Sequence, residues 1–422
     1  MTVWVSRDVA SPAQPNRCGV WRCGVWRCGV WRCGVWRGIE DRLLARRDRL
    51  LASASFQRWA AGFPLTRRIA RKRAQALFDL CAGFVYSQIL SACVRLRVCE
   101  VLLERPRTPE QLAGLLAMPP DKAVRLLEAA EALRLVERRR DGRYGAGALG
   151  AALAGNPAVA AMVRHHALFY DDLRDPIGLL RGEHDRTELG QYWPYAGTAR
   201  PADAGAAEVV EFSALMAASQ ALIAADVLAA YRFGRHRCLL DLGGGDGGFI
   251  IEAAAATPAL RLMLFDLPAV ADRARGRFAE AGLSGRAQAI GGDFRRDPLP
   301  PGADIVSLIR VIHDHDDAAA LAILRAARRA LPPGGTMLLA EPMADTSGAE
   351  PVGAYFNFYL LAMGSGRLRR AEELMPMMRE AGFSRVRPVP TRRPMLVRIL
   401  VGHVDHTAAA DGAGAQIYVN QD

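Results

Sequence analysis

The sequence predicts an α/β fold: a Rossmann-like domain with a mainly parallel sheet, preceded by a mostly helical, winged-helix-like region. Three observations predict it. First, the apolar residues 238–240 run into Asp241-Leu-Gly-Gly-Gly-Asp-Gly-Gly248, and an alanine-rich stretch follows. That order is strand, glycine turn, helix, the opening unit of a nucleotide-type α/β domain. Second, from residue 238 onward short apolar runs alternate with helix-like segments, a pattern that covers both faces of a parallel sheet. Third, residues 76–155 read as helices followed by two short extended pieces around Asp141-Gly142, a hairpin turn.

The elements follow in order. Residues 17–36 are four copies of Arg-Cys-Gly-Val-Trp. A five-residue step turns a helix by about 140°, so Cys18, Cys23, Cys28 and Cys33 spiral around it; on a strand they alternate faces. Zinc ligands come as close pairs, so no metal site is expected, and residues 1–38 read as a disordered low-complexity segment. Residues 39–75 form a basic, partly amphipathic arm, with Leu43, Leu44, Leu50, Leu51, Phe56, Trp59 and Phe63 among arginines. It reads as a docking arm or, more sharply, as an interfacial helix on an anionic membrane.

Residues 76–230 are expected to be a helical domain. Thr108 caps a helix with Pro109 in its first turn. The next helix, near 121–135, carries Lys122 and Arg125 but also Glu128 and Glu131. A recognition helix would be more basic, so no nucleic-acid partner is expected. Residues 231–404 hold the sheet. Strands are predicted at 238–242, 260–265, 287–290, 304–311 and 336–341. Helices are predicted near 247–257, 270–281, 316–331 and 371–381, with Asp316 capping the third. Two extended segments, 385–389 and 395–403, pair at the sheet edge, and 405–422 is a loose tail.

Charge and composition narrow the function. The chain of 422 residues carries a net charge of +11. Residues 1–75 hold 16 Lys and Arg against 4 Asp and Glu, and the remainder holds 39 against 40. The body is therefore near neutral, which argues against a broad polyanion-binding face. No run approaches the roughly 18 uncharged apolar residues of a membrane span. The N-terminus lacks the apolar core of a signal peptide, which reads as cytoplasmic. Cys81, Cys93, Cys99 and Cys238 lie in apolar surroundings and read as buried free thiols.

A parallel sheet binds its ligand at the carboxyl ends of its strands. The residues delivered there are Asp241, Gly243 and Gly245 after the first strand, and Asp266 and Leu267 after the second. Gly292, Asp293 and Phe294 follow the third, Arg310, His313 and Asp314 the fourth, and Glu341 the fifth. The glycine run fits both a dinucleotide and S-adenosyl-L-methionine. Asp266 suits the ribose of either. Asp241 and Asp246 discriminate, because acids repel a pyrophosphate but suit an ammonium and a sulfonium. Asp293 offers an acceptor for the adenine amino group, and Phe294 a ring against it. Phe169, Tyr170, Trp193, Phe356, Phe358 and Tyr359 are candidate acceptor walls or core. A nicotinamide-dependent oxidoreductase and a winged-helix regulator or non-catalytic binding protein remain as other classes.

These residues resemble the class I S-adenosylmethionine-dependent O-methyltransferases of the caffeate and acetylserotonin type. The matching pieces are Asp241-Leu-Gly-Gly-Gly-Asp-Gly247, Phe265-Asp-Leu-Pro268, Gly292-Asp-Phe294, Arg310-Val-Ile-His-Asp314 and Leu331-Pro-Pro-Gly-Gly335 leading to Glu341. The resemblance implies that the winged-helix-like region is a dimerisation domain and that the chain is a homodimer. It implies that His313 is the base, with Asp314 beside it and Glu341 orienting it, and that a second orienting acid should fall near residues 366–370, where Leu368 stands. Phe78-Asp-Leu-Cys-Ala-Gly-Phe-Val-Tyr-Ser-Gln88 and Ala161-Met-Val-Arg-His-His-Ala-Leu-Phe-Tyr170 look like the bacterial hydroxyneurosporene, or demethylspheroidene, O-methyltransferases. That narrower resemblance implies a lipid-like hydroxylated carotenoid acceptor and peripheral contact with the inner photosynthetic membrane. A small phenol is the alternative acceptor.

Overall fold

The computed structural model describes residues 28–193 and 220–406. The chain divides into two compact units, residues 1–85 and 86–422. The first unit is helical: α1 (Cys28–Ala52), α2 (Ala54–Gly62) and the start of α3 (Arg67–Arg95). Helix α1 reaches back into the pentapeptide repeat, correcting the expectation of disorder for residues 28–38. Once a helix is nucleated, each added residue gains a backbone bond, and no proline stops it there. The part of that expectation covering residues 1–27 lies outside the described residues.

Helix α3 brings two further corrections. Cys81 is exposed, whereas Cys93, Cys99 and Cys238 are buried free thiols. Burial pushes the Cys93 thiol up to about 12 and that of Cys99 to about 11, so neither is a nucleophile near neutrality. Helix α3 also contains an 18-residue stretch of mean hydropathy 1.6, long and apolar enough to cross a membrane by length and composition. Asp79 interrupts the apolar run in the sequence without interrupting the helix.

The second unit begins with a helical subdomain. Helix α4 (Val98–Glu104), α5 (Pro109–Leu115) and α6 (Pro120–Ala132) precede a two-stranded wing, β1 (Val136–Arg138) and β2 (Tyr144–Ala146). Thr108 and Gln111 form a reciprocal capping box on α5. Gly142 turns the wing at φ +83°. Leu112, Leu127, Val98 and Tyr144 share one core. Helices α7 (Ala148–Ala154), α8 (Pro157–Asp172), α9 (Pro176–Arg181) and α10 (Glu188–Tyr192) continue the chain, and α11 (Gln220–Ala230) leads to the sheet.

The sheet holds β3 (Cys238–Leu242), β4 (Arg261–Asp266), β5 (Ala287–Gly291), β6 (Ile305–Ile309), β7 (Thr336–Glu341), β8 (Ser384–Val389) and β9 (Arg398–His403). Their order is β5-β4-β3-β6-β7-β9-β8. The first five are parallel, and β9 pairs antiparallel with both β7 and β8. Residues along β3 alternate between two cores: Leu239 packs on one face, Leu240 and Leu242 on the other. Each is fully buried, worth about 1.5–3 kcal/mol per side chain. Helices α12 (Gly248–Ala256), α13 (Pro268–Glu280), α14 (Asp317–Ala330) and α16 (Ala371–Glu380) match the predicted ones. Asp316 caps α14, accepting from Ala319 N at 2.7 Å. Sequence reading omits α15 (Glu350–Met363), whose apolar residues leave no polar face to mark a period. Strand order reverses between β3 and β6, and a crevice opens there at the carboxyl ends.

Candidate active site

The crevice is lined by residues at the ends of β3, β4, β5 and β6, while Glu341 at the end of β7 is buried. The glycine turn forms its base. Gly243 and Gly245 have φ +68° and +61°, conformations that side-chain-bearing residues rarely adopt. A Cβ on Gly244 would stand 2.7 Å from Asp241 Oδ2, so the chain there approaches too closely for a side chain. Asp241 is buried beneath the turn and accepts from Ser307 Oγ at 2.5 Å. Burial pushes its carboxyl up to about 7. Asp266 accepts from Gly245 N at 2.8 Å and Leu267 N at 2.7 Å, tying the second strand end to the turn. Burial pushes its carboxyl up to about 6 despite those bonds.

Asp293 and Phe294 line the crevice beside them. Arg295 holds Asp293 through its backbone N–H at 2.9 Å and its guanidinium at 3.1 Å. Burial acts against the Asp293 carboxylate, but the Arg295 bonds outweigh it and hold its pKa below the usual range. Gly292 does not line the crevice; a Cβ there would meet the Phe265 ring at 2.4 Å. Its smallness is needed for packing against Phe265. Asp246 reads from the sequence as a second acid open to a cation. Its carboxylate is instead paired with Arg277. That leaves Asp241 and Asp266 as the electrostatic feature of the floor.

The fourth strand ends in a strained turn. Arg310 has φ +60°, a conformation costing on the order of 1–3 kcal/mol for a non-glycine residue. The turn is fixed by Glu341, which is 1% exposed. Its Oε1 accepts from Val311 N at 2.9 Å and Ile312 N at 2.7 Å, and its Oε2 lies 2.5 Å from His313 Nδ1. The other ring nitrogen, Nε2, lies 3.2 Å from Asp314 Oδ1. Burial acts to lower the His313 pKa, but Asp314 and Glu341 together outweigh it and hold it above 6.5.

Two features of this turn escape a sequence reading. Arg369, 2% exposed, donates to Ile312 O at 2.9 Å and His315 O at 2.7 Å, and pairs with Asp317. Gly366, at φ +80°, lets its chain pass where a Cβ would be 2.2 Å from His313 O. Leu368 is a buried apolar side chain. Among the described residues, the second acid near the His313 ring is therefore Asp314.

Helix α15 supplies the opposite wall. Tyr355, Phe356 and Tyr359 line the crevice with Trp193 and Met162. The Phe356 ring meets His313 edge-on at 5.8 Å. Tyr359 Oη accepts from Trp193 Nε1 at 3.1 Å and lies 2.7 Å from His165 Nε2. Tyr355 Oη lies 2.9 Å from His166 Nε2. Burial pushes His165 down to about 4 and lowers His166, so both rings are neutral near pH 7. Trp193, Phe356 and Tyr359 stand where the sequence proposes walls. Phe169 is core behind them, and Tyr170 and Phe358 do not line the crevice. Met162, Tyr355, Leu360 and Met363 are wall residues missed.

An acid-floored glycine turn without lysine, beside a carboxylate-held histidine, suits a cationic donor and not a pyrophosphate. Residues 172–384 match the O-methyltransferase domain, and residues 78–156 match the O-methyltransferase dimerisation domain. The chain belongs to the O-methyltransferase family. It is an S-adenosylmethionine-dependent O-methyltransferase. The chain is 43% identical to demethylspheroidene O-methyltransferase of Cereibacter sphaeroides over 352 residues, covering 82% of this chain and 91% of that one. It is 32% identical to acetylserotonin O-methyltransferase of Mus musculus, over 81% of this chain and 90% of that one. The solved S-adenosylmethionine-dependent methyltransferase SibL, in its apo form, superposes with a TM-score of 0.65 at 28% identity. That match covers 78% of this chain and 99% of SibL. In this enzyme Asp241, the glycine turn, Asp266, Leu267, Asp293 and Phe294 are the residues available to hold the cofactor.

Proposed function

We propose that the enzyme methylates the tertiary hydroxyl of a hydroxylated carotenoid of the demethylspheroidene or hydroxyneurosporene kind, with His313 as general base. The observation that carries the base assignment is the Glu341–His313 contact at 2.5 Å beneath an aromatic wall. A carboxylate only accepts, so Nδ1 carries a proton toward Glu341; Nε2, which faces Asp314 at 3.2 Å, is the nitrogen that takes the acceptor's proton once the ring is neutral. The acceptor rests on the 43% identity to a demethylspheroidene O-methyltransferase across most of both chains.

Bound S-adenosylmethionine supplies the methyl group and a sulfur leaving group. The protein's part is proton removal and positioning. An alkyl alcohol has a pKa of about 15.7, and imidazole one of about 6.5. The gap of about 9 units is on the order of 12 kcal/mol, too large for a stored alkoxide. His313 takes the proton as the oxygen attacks. Glu341 and Asp314 stabilise the imidazolium that forms, and the wall of α15 holds the acceptor in line.

The enzyme works as a homodimer through residues 78–156, with Phe78, Leu80 and Phe84, exposed in one copy, covered by the second. It acts on the cytoplasmic side of the inner membrane, touching it through the basic arm of residues 39–75. A small phenolic acceptor is the second reading. The aromatic walls Trp193, Tyr355 and Phe356 favour it, and a 3-hydroxy-5-methyl-1-naphthoate 3-O-methyltransferase of Streptomyces sahachiroi is 31% identical. Incubation with labelled S-adenosylmethionine and a mixed panel of hydroxylated carotenoids and phenols decides between them. Label appearing only in phenols overturns the carotenoid reading.

A further inference from the structure

Residues 53–75 join a row of aromatic rings, half-buried at Phe56 and exposed at Trp59 and Phe63, to a block of positive charge. Their local structure is fixed. Ser53 Oγ accepts from Phe56 N at 3.5 Å, Phe63 N donates to Trp59 O at 3.0 Å, and Thr66 Oγ1 donates to Ala60 O at 2.8 Å. Phe56 and Trp59 stand about one turn apart on α2, and Phe63 caps its C-terminal end. The Phe56 and Trp59 centroids lie 5.6 Å apart, and Trp59 stacks on Phe63 at 5.0 Å. Trp59 is 54% exposed and Phe63 40%, and exposed Leu65 and Ile69 follow them. The same residues 53–75 contain six bases, Arg58, Arg67, Arg68, Arg71, Lys72 and Arg73, and no acid.

A second copy of this segment is a poor occupant, because two like-charged blocks would face each other. The dimerisation match begins only at residue 78. Aromatic rings that sit at headgroup depth, flanked by bases that reach lipid phosphates, fit an anionic bilayer surface. We propose that residues 53–75 are an interfacial anchor for anionic phospholipid, with Phe56, Trp59 and Phe63 at headgroup depth and the bases of early α3 on the phosphates. The proposal deepens the membrane contact of the preceding reading and rests on it: an enzyme held there meets an acceptor dissolved in the bilayer.

The test is co-sedimentation of the full chain with vesicles of phosphatidylcholine containing phosphatidylglycerol, and with phosphatidylcholine alone. Binding is expected on the mixed vesicles and is expected to weaken as salt rises. The Trp59→Ala/Phe63→Ala variant should bind them about 10-fold more weakly or worse. Replacing Arg67, Arg68, Arg71, Lys72 and Arg73 with serine should cost about 100-fold or more. S-adenosylmethionine affinity, measured by calorimetry, should stay at the parent value in both variants and so report an intact body. Equal binding to both vesicle types overturns the proposal. So does undiminished binding by both variants, or tighter binding to duplex DNA than to the mixed vesicles. Vesicle binding is read without any acceptor, so it fails or stands apart from the carotenoid assignment.

Discussion

Glu341 Oε2 lies 2.5 Å from Nδ1 of His313, while the other oxygen of the same carboxylate holds the backbone N–H groups of Val311 and Ile312. One buried acid thus sets both the tautomer of the ring and the shape of the turn that carries it. Glu341→Gln keeps the size but presents a neutral amide to Nδ1. Turnover is expected to fall by about 10²-fold or more, with S-adenosylmethionine affinity within about threefold. Circular dichroism and calorimetry on the same sample check that the turn survives. Unchanged kcat would remove Glu341 from the mechanism.

The pH profile gives a second test. Burial lowers the His313 pKa, but Asp314 and Glu341 outweigh it and leave it above 6.5. Only the neutral ring accepts a proton, so kcat should rise with pH through an inflection above that value. Asp314→Asn removes one negative neighbour at 3.2 Å, and the inflection should move down. An inflection that stays put, or moves up, contradicts the proposed electrostatics.

Cofactor affinity should itself depend on pH. Burial raises the Asp241 carboxyl to about 7, and that of Asp266 to about 6. Both are ionised only above those values, and a cation binds the ionised floor better. S-adenosylmethionine affinity is therefore expected to weaken as pH falls through about 7. Asp241→Asn, which can still accept from Ser307, should flatten the upper part of that dependence and weaken binding above it. Titration calorimetry at several pH values reads both; a flat parent profile would falsify the assignment.

The strand ends are legible in the sequence because parallel strands carry their C-terminal residues to one edge. Asp241, Asp266, Asp293, His313 and Glu341 therefore meet wherever the strands are placed correctly. Their pairings are less legible. Arg295 stands only two residues beyond Asp293, and local spacing could have marked it. Arg277 reaches Asp246 in the glycine turn from α13, and no period marks that contact. Arg369 reaches the 312–315 turn across 57 residues through tertiary packing alone. Tyr355 is hidden because α15 is apolar on every side, so neither its period nor its inward face can be read. Cys81 is misplaced for a related reason: apolar neighbours along the sequence do not say which side of α3 faces outward.

The central claim is that His313 removes the acceptor's proton. His313→Ala, assayed by calorimetry for S-adenosylmethionine binding and by single-turnover transfer of labelled methyl to a hydroxylated carotenoid, tests it most directly. Cofactor affinity is expected to remain within about threefold of the parent, while transfer falls by about 10²–10⁴-fold. Transfer within a few-fold of the parent rate would contradict it.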